Sequence, residues 1–193
     1  MKKFYFGLVA VLFFMVVLAA CSSPPTEEIN MANDAITRAE NDANAVTYAP
    51  NILLRARDFL TRMETEVNAK RYEAAKNFAA EAISNAERAI SEGNAAAVRA
   101  REEAANLINS LAAPLNETSN AVVAANDIEG IDLDFDTLQD ILDSTQQTYN
   151  DARENLTANN FQDAIADGQT VRSSLSDINT QLTEAAQATS RKQ

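Results

Sequence analysis

Residues 72–111 read YEAAKNFAAEAISNAERAISEGNAAAVRAREEAANLINSL. Tyr72, Ala75, Ala79, Ala82, Ile83, Ala86, Ala89 and Ile90 recur at intervals of three and four, and Ala97, Ala100, Ala104, Leu107, Ile108 and Leu111 carry the stripe onward. That spacing places one apolar face along an α-helix. Gly93-Asn94 sits in the middle, but one glycine costs a helix only about 1 kcal/mol, so the pattern predicts an unbroken rod. It spans roughly forty residues, or ~60 Å at 1.5 Å per residue. Pro114 is expected to kink or end it, because proline lacks the N–H of the helical ladder, and a short helix over 115–125 is expected to follow.

The same period extends on both sides. Ile29, Ala32, Ile36, Ala39, Ala43 and Val46 form one narrow stripe that stops near Tyr48-Ala49-Pro50. Thr26 is placed to cap that helix, with Glu27 and Glu28 in its first turn where the helix dipole favours acids. Pro50 suits the first turn of the next helix, marked by Leu53, Ala56, Leu60, Met63 and Val67. Helical periodicity fails over 126–136, NDIEGIDLDFD, which reads as an acidic linker or subdomain boundary. Asp134 or Asp136 then caps a helix carrying Leu138, Leu142, Thr145 and Tyr149. A turn at Asn159-Asn160 opens the last helix, and the chain from Ala185 is expected to fray. The expected class is all-α: antiparallel helical hairpins or a bundle, with one long helix. The expected divisions are 1–20 signal peptide, 21–28 tether, 29–125 N-terminal helical region, 126–136 linker, 137–184 C-terminal hairpin and 185–193 tail.

Two turns look alike. Val67-Asn68-Ala69-Lys70-Arg71-Tyr72-Glu73-Ala74-Ala75 and Leu156-Thr157-Ala158-Asn159-Asn160-Phe161-Gln162-Asp163-Ala164 place apolar, Ala, aromatic and Ala residues at the same offsets. In each, the aromatic (Tyr72 or Phe161) opens a helix and packs back on the previous one, and the small Ala75 or Ala164 lets the helices approach. These turns resemble the helix-to-helix turn of tetratricopeptide repeats. The Trp, Leu-Gly and Tyr of that repeat's first helix are missing, and the two aromatics lie 89 residues apart where a tandem array has a period of about 34. Two related hairpins, rather than a solenoid, are expected.

At the N-terminus Lys2 and Lys3 precede an uncharged run from Phe4 to Val17, followed by Leu18-Ala19-Ala20-Cys21. A basic start, a short apolar core and small residues before a cut make a secretory signal peptide; the run is short for a span, which needs ~20 apolar residues. Leu18, Ala19, Ala20 and Cys21 resemble the lipobox of bacterial lipoproteins. The resemblance implies diacylglycerol on the Cys21 thiol and cleavage before it. Cys21 is the sole cysteine, so it has no disulfide partner in the chain. Two or more acyl chains give stable attachment, each buried methylene contributing ~0.8 kcal/mol. Ser22 in the next position leans toward the outer membrane of the cell envelope over the inner. Pro24-Pro25 stiffens the tether.

The stretch from Ser23 to Ile90, with its Pro-Pro after the cysteine, Ala-rich helix, Tyr48-Ala49-Pro50 and Lys70-Arg71-Tyr72-Glu73-Ala74-Ala75 turn, resembles an uncharacterised family of short envelope lipoproteins. Some members carry a peptidoglycan-binding domain downstream. The second half here lacks its strand-and-helix pattern, so that activity is not carried over.

The net charge is −12, and removal of residues 1–20 takes away Lys2 and Lys3 and no acid, leaving −14. Such a chain repels nucleic acid. It has no histidine, which removes His-based acid–base catalysis and His metal ligation. No GxSxG elbow, P-loop or GxGxxG occurs. Carboxylates are spread over helical faces and read as solvated surface. Asp132, Asp134 and Asp136 alternate like the opening of an EF-hand loop, but Thr137 stands where glycine is required and Asp143 where glutamate closes the loop; helix capping is the expected role, and no metal is expected. Lys192 is one residue from the end, where some small helical lipoproteins are linked to peptidoglycan, but Gln193 follows it. Asn116-Glu117-Thr118 fits a glycosylation acceptor by chance.

The expectation is therefore a non-enzymatic, lipid-anchored envelope module that presents an acidic face, and an Ala-rich groove, to another envelope protein. It needs no cofactor beyond the lipid on Cys21. The alternative is a binding protein that shelters an apolar small molecule between helices.

Overall fold

The computed structural model describes residues 23–191. Cys21, the lipobox residues Leu18, Ala19 and Ala20, and Lys192 lie outside the described residues. Within them are six helices: α1 (Thr26–Asn41), α2 (Ala43–Tyr48), α3 (Pro50–Asn68), α4 (Tyr72–Asn126), α5 (Phe135–Thr157) and α6 (Phe161–Ser190). No strand occurs among the described residues. The chain divides into two compact units at Ala96–Ala97. The division falls inside α4, whose first part belongs to unit 1 and whose second part belongs to unit 2.

Unit 1 packs α1, α2, α3 and the start of α4. The stripe expected as one helix over 29–46 is broken at Asp42, which has an extended backbone and accepts a hydrogen bond on its carboxylate from the Ala45 N–H at 2.8 Å. Asp42 thus caps α2. Thr26 does not cap α1: it is the first helical residue, Pro25 holds the cap position, and no side chain bonds there. Pro50 opens α3 as expected. The core is built largely from alanine. Ala35, Ala39, Ala45, Ala49, Ala56, Ala86 and Ala89 surround Ile36 and Leu53, and a second cluster joins Ala32, Ala75, Ala79 and Ala82 to Met63. Side chains this small stabilise only if the backbones come close. Gly93 takes that to its limit, since a Cβ there would lie 2.7 Å from Asn44 C and O and from Ala45 N. Beside it the Asn44 amide donates to Asn94 Oδ1 at 2.8 Å. Gly93 is therefore a crossing point for the α1–α2 break, which explains a glycine in a long helix.

Unit 2 packs the remainder of α4 against α5 and α6. Pro114 neither ends nor divides α4, which runs on to Asn126. Its neighbours Leu111 and Leu115 are buried in the core, whereas Pro114 and Ser110, whose carbonyl loses its ladder partner, are exposed. Water can take the freed carbonyl, and core packing outweighs the lost bond. The main cluster holds Leu111, Leu115, Val122, Leu138, Leu142, Val171, Leu175 and Ile178. Residues 126–136 are not a boundary between compact units, since the chain on both sides of them, from Ala97 onward, belongs to unit 2 and Leu133 packs on the cluster. The tail does not fray at Ala185: α6 continues to Ser190, Ala185 is buried, and the Thr189 hydroxyl lies 3.3 Å from the Gly130 carbonyl.

The two hairpins share one register. Buried positions of α3 and α4 recur 89 residues later in α5 and α6: Leu53 with Leu142, Ala56 with Thr145, Met63 with Ala152, Ala75 with Ala164, Ala86 with Leu175 and Ala89 with Ile178. The size of the buried side chains differs at some of these pairs: Ala86 and Ala89 in unit 1 correspond to Leu175 and Ile178 in unit 2, whereas Met63 corresponds to Ala152.

Candidate functional site

The hairpin turns set the geometry of each unit. After α3, Lys70 takes a left-handed conformation (φ 59°), the Arg71 N–H donates to the Glu66 carbonyl at 2.9 Å, and the Lys70 N–H donates to Val67 at 2.9 Å. After α5, Asn159 takes φ 64° and the Asn160 N–H donates to the Asn155 carbonyl at 2.9 Å. Both are six-to-one helix ends that satisfy orphan carbonyls. Ala75, Ala164 and Phe161 are buried at these turns, and Tyr72 is half-buried. At the first turn the Arg71 guanidinium grips the Glu66 carboxylate, with Nη2 at 2.7 Å from Oε1. That hydrogen bond holds the Glu66 carboxyl below its ordinary value and raises Arg71.

The alternating acids of 132–136 do separate jobs. Asp134 caps α5: its Oδ1 accepts from the Thr137 N–H at 3.1 Å and its Oδ2 from the Thr137 hydroxyl at 2.7 Å. These bonds, the hydroxyl first, lower the Asp134 carboxyl below its usual range. Among the described residues no three His, Cys, Asp or Glu side chains converge as metal ligands. Thr118 of the apparent glycosylation acceptor is buried, and its hydroxyl accepts from Asn179 Nδ2 at 2.8 Å.

The buried alanines of unit 1 lie inside helix contacts. The grooves are elsewhere. Between α5 and α6 a groove of about 290 Å³ is lined mainly by hydroxyls, among them Thr137, Ser144, Thr148 and Thr170. At the end of α4 a second groove, about 250 Å³, is floored by Val122, Val123 and Phe135 and rimmed by Asp127, Asp136, Asn126 and Gln139. Val123 is 59% exposed and nearby Ile128 is 54% exposed.

Charge separates the two units. Among the described residues every ion pair lies in unit 1, for example Arg57 with Glu40 at 2.6 Å, Arg62 with Asp58 at 2.9 Å and Arg88 with Glu92 at 3.3 Å. Residues 102–152 contain acids throughout and not one lysine or arginine. The groove at the end of α4 sits within that stretch. Net charge alone does not reveal this surface; the spacing of basic residues, with none from 102 to 152, does. No described helix is long and apolar enough to cross a membrane.

Neither a curated protein nor a solved structure matches the chain. Residues 27–107, which hold α1 to α3 and the first two-thirds of α4, match the model of the family described as a domain of unknown function (DUF4398).

Proposed function

We propose that this chain is an exported lipoprotein, cut before Cys21 and held in the cell envelope by lipid on that cysteine, the outer membrane being favoured over the inner. Its helical units act as a non-enzymatic module that binds another envelope protein. The observation that carries the reading is Leu18-Ala19-Ala20-Cys21 at the end of an uncharged run behind Lys2 and Lys3. The Pro24-Pro25 tether is consistent with it, since it leads directly into α1 at Thr26. Tyr72 with Ala75 and Phe161 with Ala164 set the hairpins and do not contact the partner. Many carboxylates serve as caps, in ion pairs or as acceptors for neighbouring amides, as Asp143, Asp151 and Asp167 do, and this supports binding over catalysis.

The test is crosslinking in intact cells followed by purification of the chain, with Cys21→Ala as control. The expected result is a lipid-sized mass on Cys21 and a reproducible protein adduct, both lost in the control. Membrane fractionation and adducts unchanged by Cys21→Ala would overturn the reading. A copurifying apolar small molecule with no protein adduct would replace it with a ligand-carrying role.

A further inference from the structure

The interaction reading leaves open what kind of partner the chain accepts, and the end of α4 bears on this. Val123 exposes apolar surface in a groove that it lines together with the half-buried Phe135, and Asp127 and Asp136 line the same groove. Ile128, next to Asp127 in sequence, is exposed as well. The Asp134 carboxylate is taken by Thr137, so it serves the fold. Among the described residues no hydrogen bond or ion pair reaches the Asp127 or Asp136 side chains, and no basic residue lies in the sequence from 102 to 152. Arg191, two residues beyond the Thr189 that meets Gly130, is in no ion pair among the described residues. Unit 1 disposes of its acids differently, pairing several of them with arginine or lysine.

We propose that this groove docks a basic segment of a partner protein, one that presents an apolar side chain flanked by lysine or arginine. The proposal rests on the interaction-module reading and gives it a surface and a chemistry. The apolar residues Val122, Val123 and Phe135 in a groove of about 250 Å³ suit an apolar side chain. Long basic side chains can lay their methylenes along Val123 while their charges reach Asp127 and Asp136. At physiological salt the screening length is about 8 Å, so acids on one rim act together on a docked cation. The same field repels anionic lipid, nucleic acid and a second copy of this acidic chain. The surface is also held in shape before binding, by the Asp134 cap on one side and the Thr189 contact to Gly130 on the other.

The test is methyl NMR on the full chain in zwitterionic detergent, titrated with the short peptide Gly-Lys-Leu-Lys-Gly and, in parallel, with Gly-Asp-Leu-Asp-Gly. The expected result is saturable movement of the Val123 and Ile128 methyls by the lysine peptide, with Val46 and Val98 unmoved. Asp127→Asn with Asp136→Asn weakens this binding by about tenfold, whereas Glu27→Gln with Asp34→Asn in unit 1 leaves it unchanged. Circular dichroism checks that each variant is folded. Equal shifts from both peptides, no shift at Val123, or equal weakening by the two variant pairs would overturn the proposal. So would Val123 and Ile128 signals that move with protein concentration alone, which would assign the groove to a second copy. The titration does not depend on the lipid, so its failure beside a confirmed cellular adduct removes this surface and leaves the module reading standing.

Discussion

Gly93→Ala separates a glycine that is merely tolerated from one that is required. In an ordinary helix interior the change stabilises by about 1 kcal/mol. Here the new methyl would meet the Asn44 and Ala45 backbone at 2.7 Å, and backbone cannot rotate aside as a side-chain tip can. Overpacking of this kind costs about 1–3 kcal/mol. Pushing the α1–α2 break outward also threatens the Asp42 cap, worth about 1 kcal/mol. The net expectation is a loss of about 1–3 kcal/mol after the propensity gain. At ~4–8 °C per kcal/mol for a unit of this size, the melting of unit 1 falls by at least several degrees. The assay is thermal and urea unfolding followed by circular dichroism at 222 nm, with Ser91→Ala as an exposed control two residues away. Gly168→Ala is a second comparison. Its methyl would meet Leu107 Cδ2 at 2.8 Å, a side chain able to shift, so it should cost less than Gly93→Ala. A Gly93→Ala chain melting at or above the parent would refute the close-crossing account.

Three further outcomes follow from the same structure. Phe161→Ala should lower stability by about 3 kcal/mol, and Tyr72→Ala by a smaller ~1–2 kcal/mol because Tyr72 is only half-buried, as read by urea midpoints; unchanged melting of Tyr72→Ala would deny it a role in the turn. Lys70→Gly should raise stability by about 1 kcal/mol, since a side chain at φ 59° is strained and glycine is not, while Asn159→Gly should gain less because asparagine tolerates that region. Asp134→Ala should be less stable than the parent at neutral pH. The folded carboxyl titrates below its usual value, so its contribution is present above the ordinary carboxylate range and is lost as pH falls through the lowered value. The gap between the two chains should therefore close on acidification, and a gap that widens would contradict the cap.

Periodicity made the helices legible, because an apolar residue every three or four positions leaves few alternatives. It could not show where a continuous helix changes neighbours. Nothing in the stripe from Tyr72 to Leu111 marks Ala96–Ala97, and the acidic stretch 126–136 drew attention to itself by composition alone. Pro114 was misleading for a related reason: local chemistry argues for a stop, but Leu111 and Leu115 on the buried side hold the helix through it. The break at Asp42 was hidden because Ala43 and Val46 keep the period, although an Asp three residues before Ala45 is a capping signal. At the hairpins the aromatic–alanine spacing pointed to the shared turn, whereas the register running the length of both helices emerges only with burial. The groove at the end of α4 was invisible to net charge, which averages over two units of different character.

The contrast between the two cores bears on how each unit can drift over generations. In unit 1 many buried positions are alanines, so any change at Ala56, Ala86 or Ala89 other than to glycine enlarges the side chain and forces backbones apart. In unit 2, Leu142, Leu175 and Ile178 can exchange with other aliphatic residues of similar volume, and the hazard is shrinkage to a void. Sequences descended from this chain should hold their alanines nearly fixed in the first unit and vary freely among leucine, isoleucine and methionine in the second, so recognisable kinship would fade from the second unit first.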